Sequence, residues 1–405
     1  MITKAVFLII LAVIFFYGML LSVVEMRSAG NPIPDNVSDV YDEEAYRKWR
    51  AYSGEKSRLE VFSGTASFVV QMILMGFNIY AAFAGLFPNT LFLQMVAVLL
   101  VVILADLFTI PFSYYDTMVI EEKYGFNRSS KKTFWMDVLK MLLVNIVLNL
   151  IIGSLLLWVH QALGDLLIIV FAALLTLLVL FIAFIYPYFS RIFNKFTPLE
   201  EGELKEKLTG LLEKHGYKVR AIQVMDASRR TTKSNAYFAG FGKTKTIVLY
   251  DTMLENLTTE EICAVFAHEM GHGLHKDTLR NQILTAVQML IIAVLAWLTL
   301  RNPEIYRPFG FESVNYGFAL VLIMNVEFAL ISPLFGLIVN HFSRKAEFRA
   351  DEQAVKEGYG EALVTALKKL ARENFADLSP SPLLVKLVYS HPPLSQRVEA
   401  IKKRT

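Results

Sequence analysis

The chain has 405 residues, of which 55% are hydrophobic and 19% charged, and its formal net charge is +3. This composition is too apolar for an ordinary soluble domain, in which roughly 45–50% of residues are apolar, and the small net charge gives no reason to expect a nucleic-acid partner. The single cysteine, Cys263, excludes an intramolecular disulfide and a metal site built from several cysteines. Any bound metal must therefore be held by histidine and carboxylate side chains.

Long apolar segments predict a multi-pass membrane protein. Seven segments each reach or exceed the roughly 20 residues that a helix needs to cross the hydrocarbon core. The first segment exceeds the roughly 7–15 residues of a signal-peptide core, so we expect it to remain as a membrane helix. Only residues 87–89 link the second and third segments, which predicts a tight helical hairpin. The predicted spans are residues 5–24, 62–86, 90–113, 134–159, 165–189, 281–300 and 315–339.

Basic residues are concentrated in alternate connecting segments, which all lie on one side of the membrane if there are seven spans. The positive-inside rule places this side in the cytosol and the N-terminus outside. The C-terminus is then cytosolic as well. The predicted organisation is membrane helices 1–5 in residues 1–189 with cytosolic loops 27–61 and 114–133, a cytosolic insert in 190–280, membrane helices 6–7 in 281–339, and cytosolic C-terminal helices in 340–405.

The insert at 190–280 combines helical and strand patterns. Residues 199–216 have helical periodicity, and residues 219–226 alternate as in a strand. Residues 236–241 and 246–250 flank a glycine-containing turn and predict a β-hairpin. The sequence Thr258-Thr259-Glu260-Glu261 is typical of a capping box, so a helix should begin there and continue through ICAVFAHEMGHGLH. The insert therefore resembles a small zincin-like α/β unit.

The sequence HEMGH at residues 268–272 falls on this helix. Residues four apart share a helix face, so His268 and His272 can bind the same metal ion. Glu269 is rotated by about 100° and is positioned to take a proton from water that the ion activates. Gly271 and Gly273 cost about 1 kcal/mol each relative to alanine, so their presence predicts close packing. The pattern also occurs by chance, and a structural metal site is the alternative interpretation.

A catalytic zinc ion takes three protein ligands and keeps one position open. Glu347 and Asp351 follow the last span and are four residues apart, which places them on one face of a predicted helix. Glu347 could complete a His-His-Glu site, and Asp351 could orient a ligand histidine. His341, Glu327 and His391 remain alternatives for the third ligand.

These motifs, taken together, resemble the integral-membrane CAAX prenyl proteases of the HExxH type. The chain is shorter than the larger eukaryotic members and looks more like a bacterial member. The resemblance runs in the family's order over most of the chain. It consists of PFSYYDTMVIEEKYGFN (111–127), IYPYFSRIFNKFTPL (185–199), SNAYFAGFGKTKTIVLYDTML (234–254), HEMGH (268–272), NHFSRKAEFRAD (340–351) and SHPPLSQRVEAI (390–401).

The resemblance implies seven transmembrane helices around a water-containing chamber that the zinc site faces. It also implies an enzyme that removes the C-terminal tripeptide of prenylated CAAX proteins and binds one Zn²⁺ per chain. The metal ligands would be His268, His272 and Glu347, with Asp351 behind them. The catalytic residues would be Glu269 and, in the tail motif, His391 and Arg397. The substrate backbone would pair with Asn235, Ala236, Tyr237 and Phe238.

Two other functions remain open on the sequence. A membrane-protein quality-control protease would use the same zinc chemistry, and a channel or transporter would keep HEMGH as a structural metal site. Expected partners are a peptide or protein substrate, with or without a prenyl group, and the lipid bilayer. The membrane would be the inner membrane in a bacterium or the endoplasmic reticulum in a eukaryote. The polar residues within the spans face either a wet chamber or one another. They are Gln71, Asn78, Gln94, Asp106, Asn145, Asn149, Gln288, Asn325 and Glu327.

Overall fold

A computed structural model describes residues 4–166, 170–178, 181, 191–239 and 244–405. It confirms a mostly helical membrane protein with one small sheet. Six helices of the described residues are long and apolar enough to cross a membrane, and they correspond to the first four and last two predicted spans. The fifth predicted span, 165–189, lies largely outside the described residues. The six helices are Lys4–Ser28, Glu43–Gly76, Leu91–Glu121, Lys131–Leu163, Asp277–Arg301 and Tyr316–Lys356.

The first two spans are α1 (Lys4–Ser28) and α2 (Glu43–Gly76). The bounds of α2 differ from those predicted for the second span. Helix α2 begins within the predicted loop 27–61, because Asp42 caps it there. The charged residues in its first turns are good helix formers, as are the apolar residues that follow. It also ends at Gly76 rather than 86. Asn78 then adopts a left-handed conformation with φ of 58°, before the short α3 (Ile79–Ala84).

The third span consists of α4 (Leu91–Leu107), α5 (Ile110–Tyr115) and a π-helical turn, Asp116–Glu121, so it continues into the predicted loop 114–133. The fourth span is α6 (Lys131–Leu163), which Ser130 caps through the backbone N–H of Thr133. These helices share an apolar core with the last two spans.

The insert contains a four-stranded sheet, ordered β1-β2-β4-β3. Strands β2 and β4 are parallel, and β3 and β4 are antiparallel, as predicted for a hairpin, with Ala236 opposite Leu249. Their connection, residues 240–243, lies outside the described residues. No other strand of the described residues pairs with the outer edge of β3. The three-residue β1 was not predicted. The elements are β1 (Phe196–Pro198), α7 (Glu203–Lys214), β2 (Lys218–Met225), β3 (Ala236–Ala239), β4 (Thr244–Tyr250) and α8 (Asp251–Asn256).

The predicted capping box begins α9 (Thr259–Leu274). Thr258 Oγ1 accepts a hydrogen bond from the Glu261 backbone at 3.3 Å, and the Glu261 carboxylate accepts one from the Thr258 backbone at 2.8 Å. Lys369 donates a further hydrogen bond of 2.8 Å to the same carboxylate. The next span, α10 (Asp277–Arg301), follows after Lys276, whose φ is 56°.

The last span continues out of the apolar region as one long helix. It comprises α11 (Tyr316–Leu322), a π-helical turn Ile323–Phe328 and α12 (Ala329–Lys356). Helix α12 crosses α9 at a glycine, because a Cβ atom on Gly271 would lie 2.8 Å from the Ala350 Cα atom. A Cβ on Gly273 would lie 3.2 Å from the Tyr217 hydroxyl. The predicted close packing of both glycines is confirmed.

The tail forms three further helices, α13 (Gly360–Glu373), α14 (Pro382–Leu387) and α15 (Leu394–Lys402), with interruptions near the predicted proline breaks. It folds back on the segment before and within α2. Tyr41 donates a hydrogen bond of 2.9 Å to the Ala376 carbonyl, and Trp49 donates one of 3.1 Å to the Phe375 carbonyl. The tail also contacts the insert, where the Asn374 side-chain oxygen accepts a hydrogen bond of 3.2 Å from the Ser234 backbone.

Candidate active site

Three side chains from α9 and α12 converge where these helices cross. His268 and His272 lie one turn apart on α9, and Glu347 lies on α12. The Nε2 atom of His268 is 3.5 Å from Glu347 Oε2, and the Nε2 atom of His272 is 3.4 Å from Glu347 Oε1. The structure thus brings together the three residues predicted as metal ligands.

The arrangement fits a tetrahedral metal ion. Ligand atoms at roughly 2.0–2.1 Å from a tetrahedral zinc ion are about 3.3–3.4 Å apart. Each histidine Nε2 atom lies at about this distance from one of the two Glu347 carboxylate oxygens. Within the described residues, His268, His272 and Glu347 form a group whose ligand atoms all lie within 4.8 Å of one another. Glu347 is 3% exposed, and its Oε2 atom accepts no hydrogen bond of good geometry. Two imidazoles and one carboxylate are a donor set that zinc prefers.

Each histidine is oriented by a buried aspartate behind it. The Nδ1 atom of His268 lies 2.9 Å from Asp351, as predicted, and the Nδ1 atom of His272 lies 3.1 Å from Asp277. Both aspartates are at most 4% exposed. Donation of the Nδ1 protons to these carboxylates leaves both Nε2 lone pairs directed at the metal position. The sequence analysis did not identify Asp277. A metal-binding histidine usually donates its Nδ1 proton to a carboxylate or carbonyl, so a search for an acidic residue near His272 could have found it.

Arg397 lies beneath this cluster and binds its carboxylates. It donates two hydrogen bonds to Asp351, at 2.9 and 2.6 Å, and its Nη1 atom is 3.2 Å from Glu347. The side chain is buried. Arg397 therefore neutralises and fixes the acidic residues, and its predicted catalytic role stays a prediction.

The buried charges shift one another's pKa values in the metal-free protein. Burial alone would raise the pKa of Glu347, but its close contacts with His268, His272 and His391 and the Arg397 charge hold it well below its usual range. Burial would lower the pKa of His268, but its bonds to Asp351 and Glu347 raise it to about 9. A metal ion bound here would therefore displace a proton from His268.

Glu269 lies at the wall of a cavity of about 350 Å³ next to the cluster. The cavity is also lined by His272, Glu347 and Tyr237 of strand β3. Glu269 is half-buried, and no described residue forms a hydrogen bond with its carboxylate. A carboxylate left available beside the metal position is what a general base requires.

The other predicted site residues have different positions. His391 is 65% exposed at its side chain and has Nδ1 at 3.0 Å from Glu347, so it lies at the solvent edge of the cluster. Asn235 is exposed, and its side-chain oxygen accepts a hydrogen bond from the Ala236 backbone at 2.8 Å, as in a turn. Ala236 opens strand β3, while the side chain of Phe238 lies outside the described residues.

The alternative third ligands do not join the cluster. His341 is exposed and lies against Phe342, and Glu327 bonds to Thr299 within the last two spans. Other polar residues of the spans also find partners locally. The Gln94 amide, for example, donates to the Ala84 carbonyl at 2.9 Å. Some of these residues therefore have hydrogen-bond partners within the helix bundle, whereas the buried Gln71 Nε2 atom has none among the described residues.

Comparison with known proteins covers the membrane region and the insert alike. Residues 22–195 match the family model described as CAAX prenyl protease N-terminal, five membrane helices, and residues 198–405 match that of Peptidase family M48. The CAAX prenyl protease 1 homolog of Arabidopsis thaliana is 34% identical over 91% of this chain and 90% of its own length. The human homolog is 30% identical over 91% and 88%. The crystal structure of S. mikatae Ste24p has a TM-score of 0.90 at 28% identity and covers 98% of both chains.

Proposed function

The chain belongs to the CAAX prenyl protease 1 family of M48 metallopeptidases, and on this premise we propose that it is a zinc endopeptidase that removes the C-terminal tripeptide of prenylated CAAX-type proteins. The observation that carries the proposal is the convergence of two Nε2 atoms and one carboxylate, at 3.4 and 3.5 Å, beside an available glutamate. The site has the parts that peptide hydrolysis needs.

In this proposal His268, His272 and Glu347 hold the zinc ion. When bound, zinc polarises the scissile carbonyl and lowers the pKa of a water molecule toward about 7. Glu269 takes the proton of this water and delivers it to the leaving amine. His391, at the exposed side of the cluster, donates a hydrogen bond to the developing oxyanion.

The substrate is proposed to lie along the edge strand β3. This strand leaves backbone N–H and C=O groups unpaired by any described strand, and an extended peptide can satisfy them by strand addition. Tyr237 lines the same cavity as Glu269, so a peptide on β3 passes the general base. The prenyl group would lie against apolar chamber walls, where each buried methylene contributes about 0.8 kcal/mol.

We further propose that the insert and the C-terminus are cytosolic. The basic connecting segments support this orientation through the positive-inside rule. A CAAX terminus on a cytosolic protein would then meet the active site on its own side of the membrane. Protease digestion of sealed, oriented membranes should remove a C-terminal tag only when the cytosolic face is accessible.

The proposal is tested with purified protein, a farnesylated CAAX peptide and its unprenylated counterpart. Wild-type protein should contain one zinc ion per chain and release the C-terminal tripeptide, with a preference for the farnesylated peptide. Glu269→Gln should retain zinc and lose activity. Glu260→Gln is the matched control, because Glu260 lies on the same helix with 55% of its side chain exposed and should leave activity unchanged.

The alternatives give different results. Zinc together with scattered cleavage that does not depend on the prenyl group would indicate a quality-control protease. Wild-type protein that binds no zinc and cleaves neither peptide would overturn the proposed function.

A further inference from the structure

Asp277 binds two arginines in addition to His272. Its Oδ1 atom accepts a hydrogen bond from Arg349 at 2.6 Å and lies 3.1 Å from Arg280 Nη1. Asp277 is 4% exposed, and its Oδ2 atom faces His272. One negative charge is thus shared between two guanidinium groups. The cluster keeps an excess positive charge at the edge of the catalytic cleft.

Of these two arginines, Arg280 lines the 350 Å³ cavity that also contains Glu269 and His272. Its guanidinium is held in place on three sides. Asp277 contacts Nη1, the Asn281 side chain accepts from Nη2 at 3.3 Å, and the Phe342 ring centroid lies 5.6 Å from Cζ. The buried Nε atom has no hydrogen-bond partner among the described residues. A guanidinium that is fixed in position and lines a cavity is suited to bind a planar carboxylate.

The position of Arg280 suits the end of a short leaving peptide. A tripeptide in extended conformation reaches roughly 10 Å. Arg280 is separated from the ligand His272 by Asp277 alone, through two contacts of 3.1 Å each. The same cavity is lined by the polar residues Thr278, Asn281 and Ser343 as well as by apolar ones. A peptide cut at the metal cluster therefore brings its terminal carboxylate to the neighbourhood of Arg280.

We propose that Arg280 binds the C-terminal carboxylate of the substrate and so selects cleavage three residues from the chain end. This inference rests on the proposed function, since it assigns the part of the cleft that receives the released tripeptide. Arg280 would be a specificity-determining residue that contacts the substrate and takes no part in proton transfer.

The test uses two farnesylated CAAX peptides that differ only at the C-terminus, a free acid and a carboxamide. Wild-type protein should cleave the acid with a KM roughly 10- to 100-fold below that of the amide and with similar kcat, because a charge-assisted hydrogen bond is lost in the amide. Arg280→Gln should remove this preference by raising KM for the acid alone, and Arg280→Lys should restore part of it.

Arg349→Gln is the matched control. It removes the other guanidinium from the same aspartate, but Arg349 does not line the cavity, so the preference for the acid should persist. A second readout needs no turnover. The metal-depleted protein should bind the product tripeptide acid in calorimetry more tightly than the tripeptide amide, and Arg280→Gln should abolish the difference.

The outcomes separate the two proposals. If wild-type protein cleaves acid and amide with equal KM, or if Arg280→Gln keeps the preference, the role of Arg280 is overturned while the protease stands. If Arg349→Gln abolishes the preference as completely as Arg280→Gln does, the preference depends on Asp277. The role of Arg280 is then also overturned. If wild-type protein cleaves neither peptide, the proposed function fails and the inference fails with it.

Discussion

The crossing of α9 and α12 at Gly271 makes a testable link between packing and metal binding. In Gly271→Ala, the new Cβ atom would lie 2.8 Å from the Ala350 Cα atom and 3.1 Å from Gln353 Cβ. The nearest neighbour is backbone, so the helices themselves must separate. To reach 3.4 Å, the lower limit of ordinary van der Waals contact, the closest approach must lengthen by about 0.6 Å. That displacement exceeds the roughly 0.2 Å tolerance of metal–ligand distances.

Gly271→Ala should reduce zinc affinity and peptide cleavage more than it reduces the free energy of unfolding. Overpacking costs about 1–3 kcal/mol, while replacing glycine by alanine in a helix returns about 1 kcal/mol, so unfolding free energy should fall by roughly 0–2 kcal/mol. Because His268 and His272 move away from Glu347, zinc affinity should drop at least tenfold, and kcat/KM by up to about a hundredfold.

The measurement compares zinc affinity by chelator competition, peptide cleavage and thermal unfolding. Gly210→Ala in α7 is the control, because a Cβ there meets nothing within 4 Å, and this variant should be slightly stabilised with unchanged zinc affinity. If Gly271→Ala kept wild-type zinc affinity and cleavage, the helix crossing would not set the metal geometry and the reasoning would be refuted.

Three further predictions concern the supports of the site. Asp351→Asn should weaken zinc binding about 10- to 100-fold in chelator competition, because His268 loses its charged partner; unchanged affinity would contradict this role. Thr258→Ala should lower the unfolding free energy by about 1 kcal/mol in thermal melts, whereas an unchanged melting temperature would show that the cap adds nothing. Burial raises the pKa of Glu261, but the Lys369 hydrogen bond outweighs it and lowers this pKa below its ordinary 4.5. The Glu261–Lys369 pair therefore stabilises the fold above pH 4.5, and this stabilisation is lost as the pH falls through the lowered pKa. The stability difference between wild type and Lys369→Met, from melts at pH 7 and pH 4, should therefore shrink on acidification, and a constant difference would contradict the assignment.

Local signals in the sequence were enough to predict helix α9 and the two histidines that we propose as metal ligands. Thr258 and Glu261 form a cap within four residues, and the spacing of His268 and His272 follows from helix geometry alone. Glu347 was one of several candidates until the resemblance selected it, since the distance between α9 and α12 is a tertiary fact.

Residues that depend on long-range packing or on uncommon backbone conformations were harder to predict. Asp277 reaches His272 because Lys276 adopts a left-handed conformation, which nothing in its residue type indicates. Arg397 could be placed near the site by family resemblance, but its pairing with Asp351 requires α15 to pack on α12. The early start of α2 was missed because hydropathy detects only the apolar part of a helix that also contains charged turns.

The site residues are far apart in the sequence, so the order in which they are synthesised determines when the complete site can first form. His268 precedes the last two spans and Arg397 follows them, 129 residues later. At a synthesis rate of roughly 5–20 residues per second, these residues leave the ribosome about 6–26 s apart. A nascent chain that stops before Glu347 has the HEMGH helix but lacks one of the proposed metal ligands, so we expect it to be inert. If Glu347 is a metal ligand as proposed, proteolytic competence therefore waits for synthesis and insertion of the last helix.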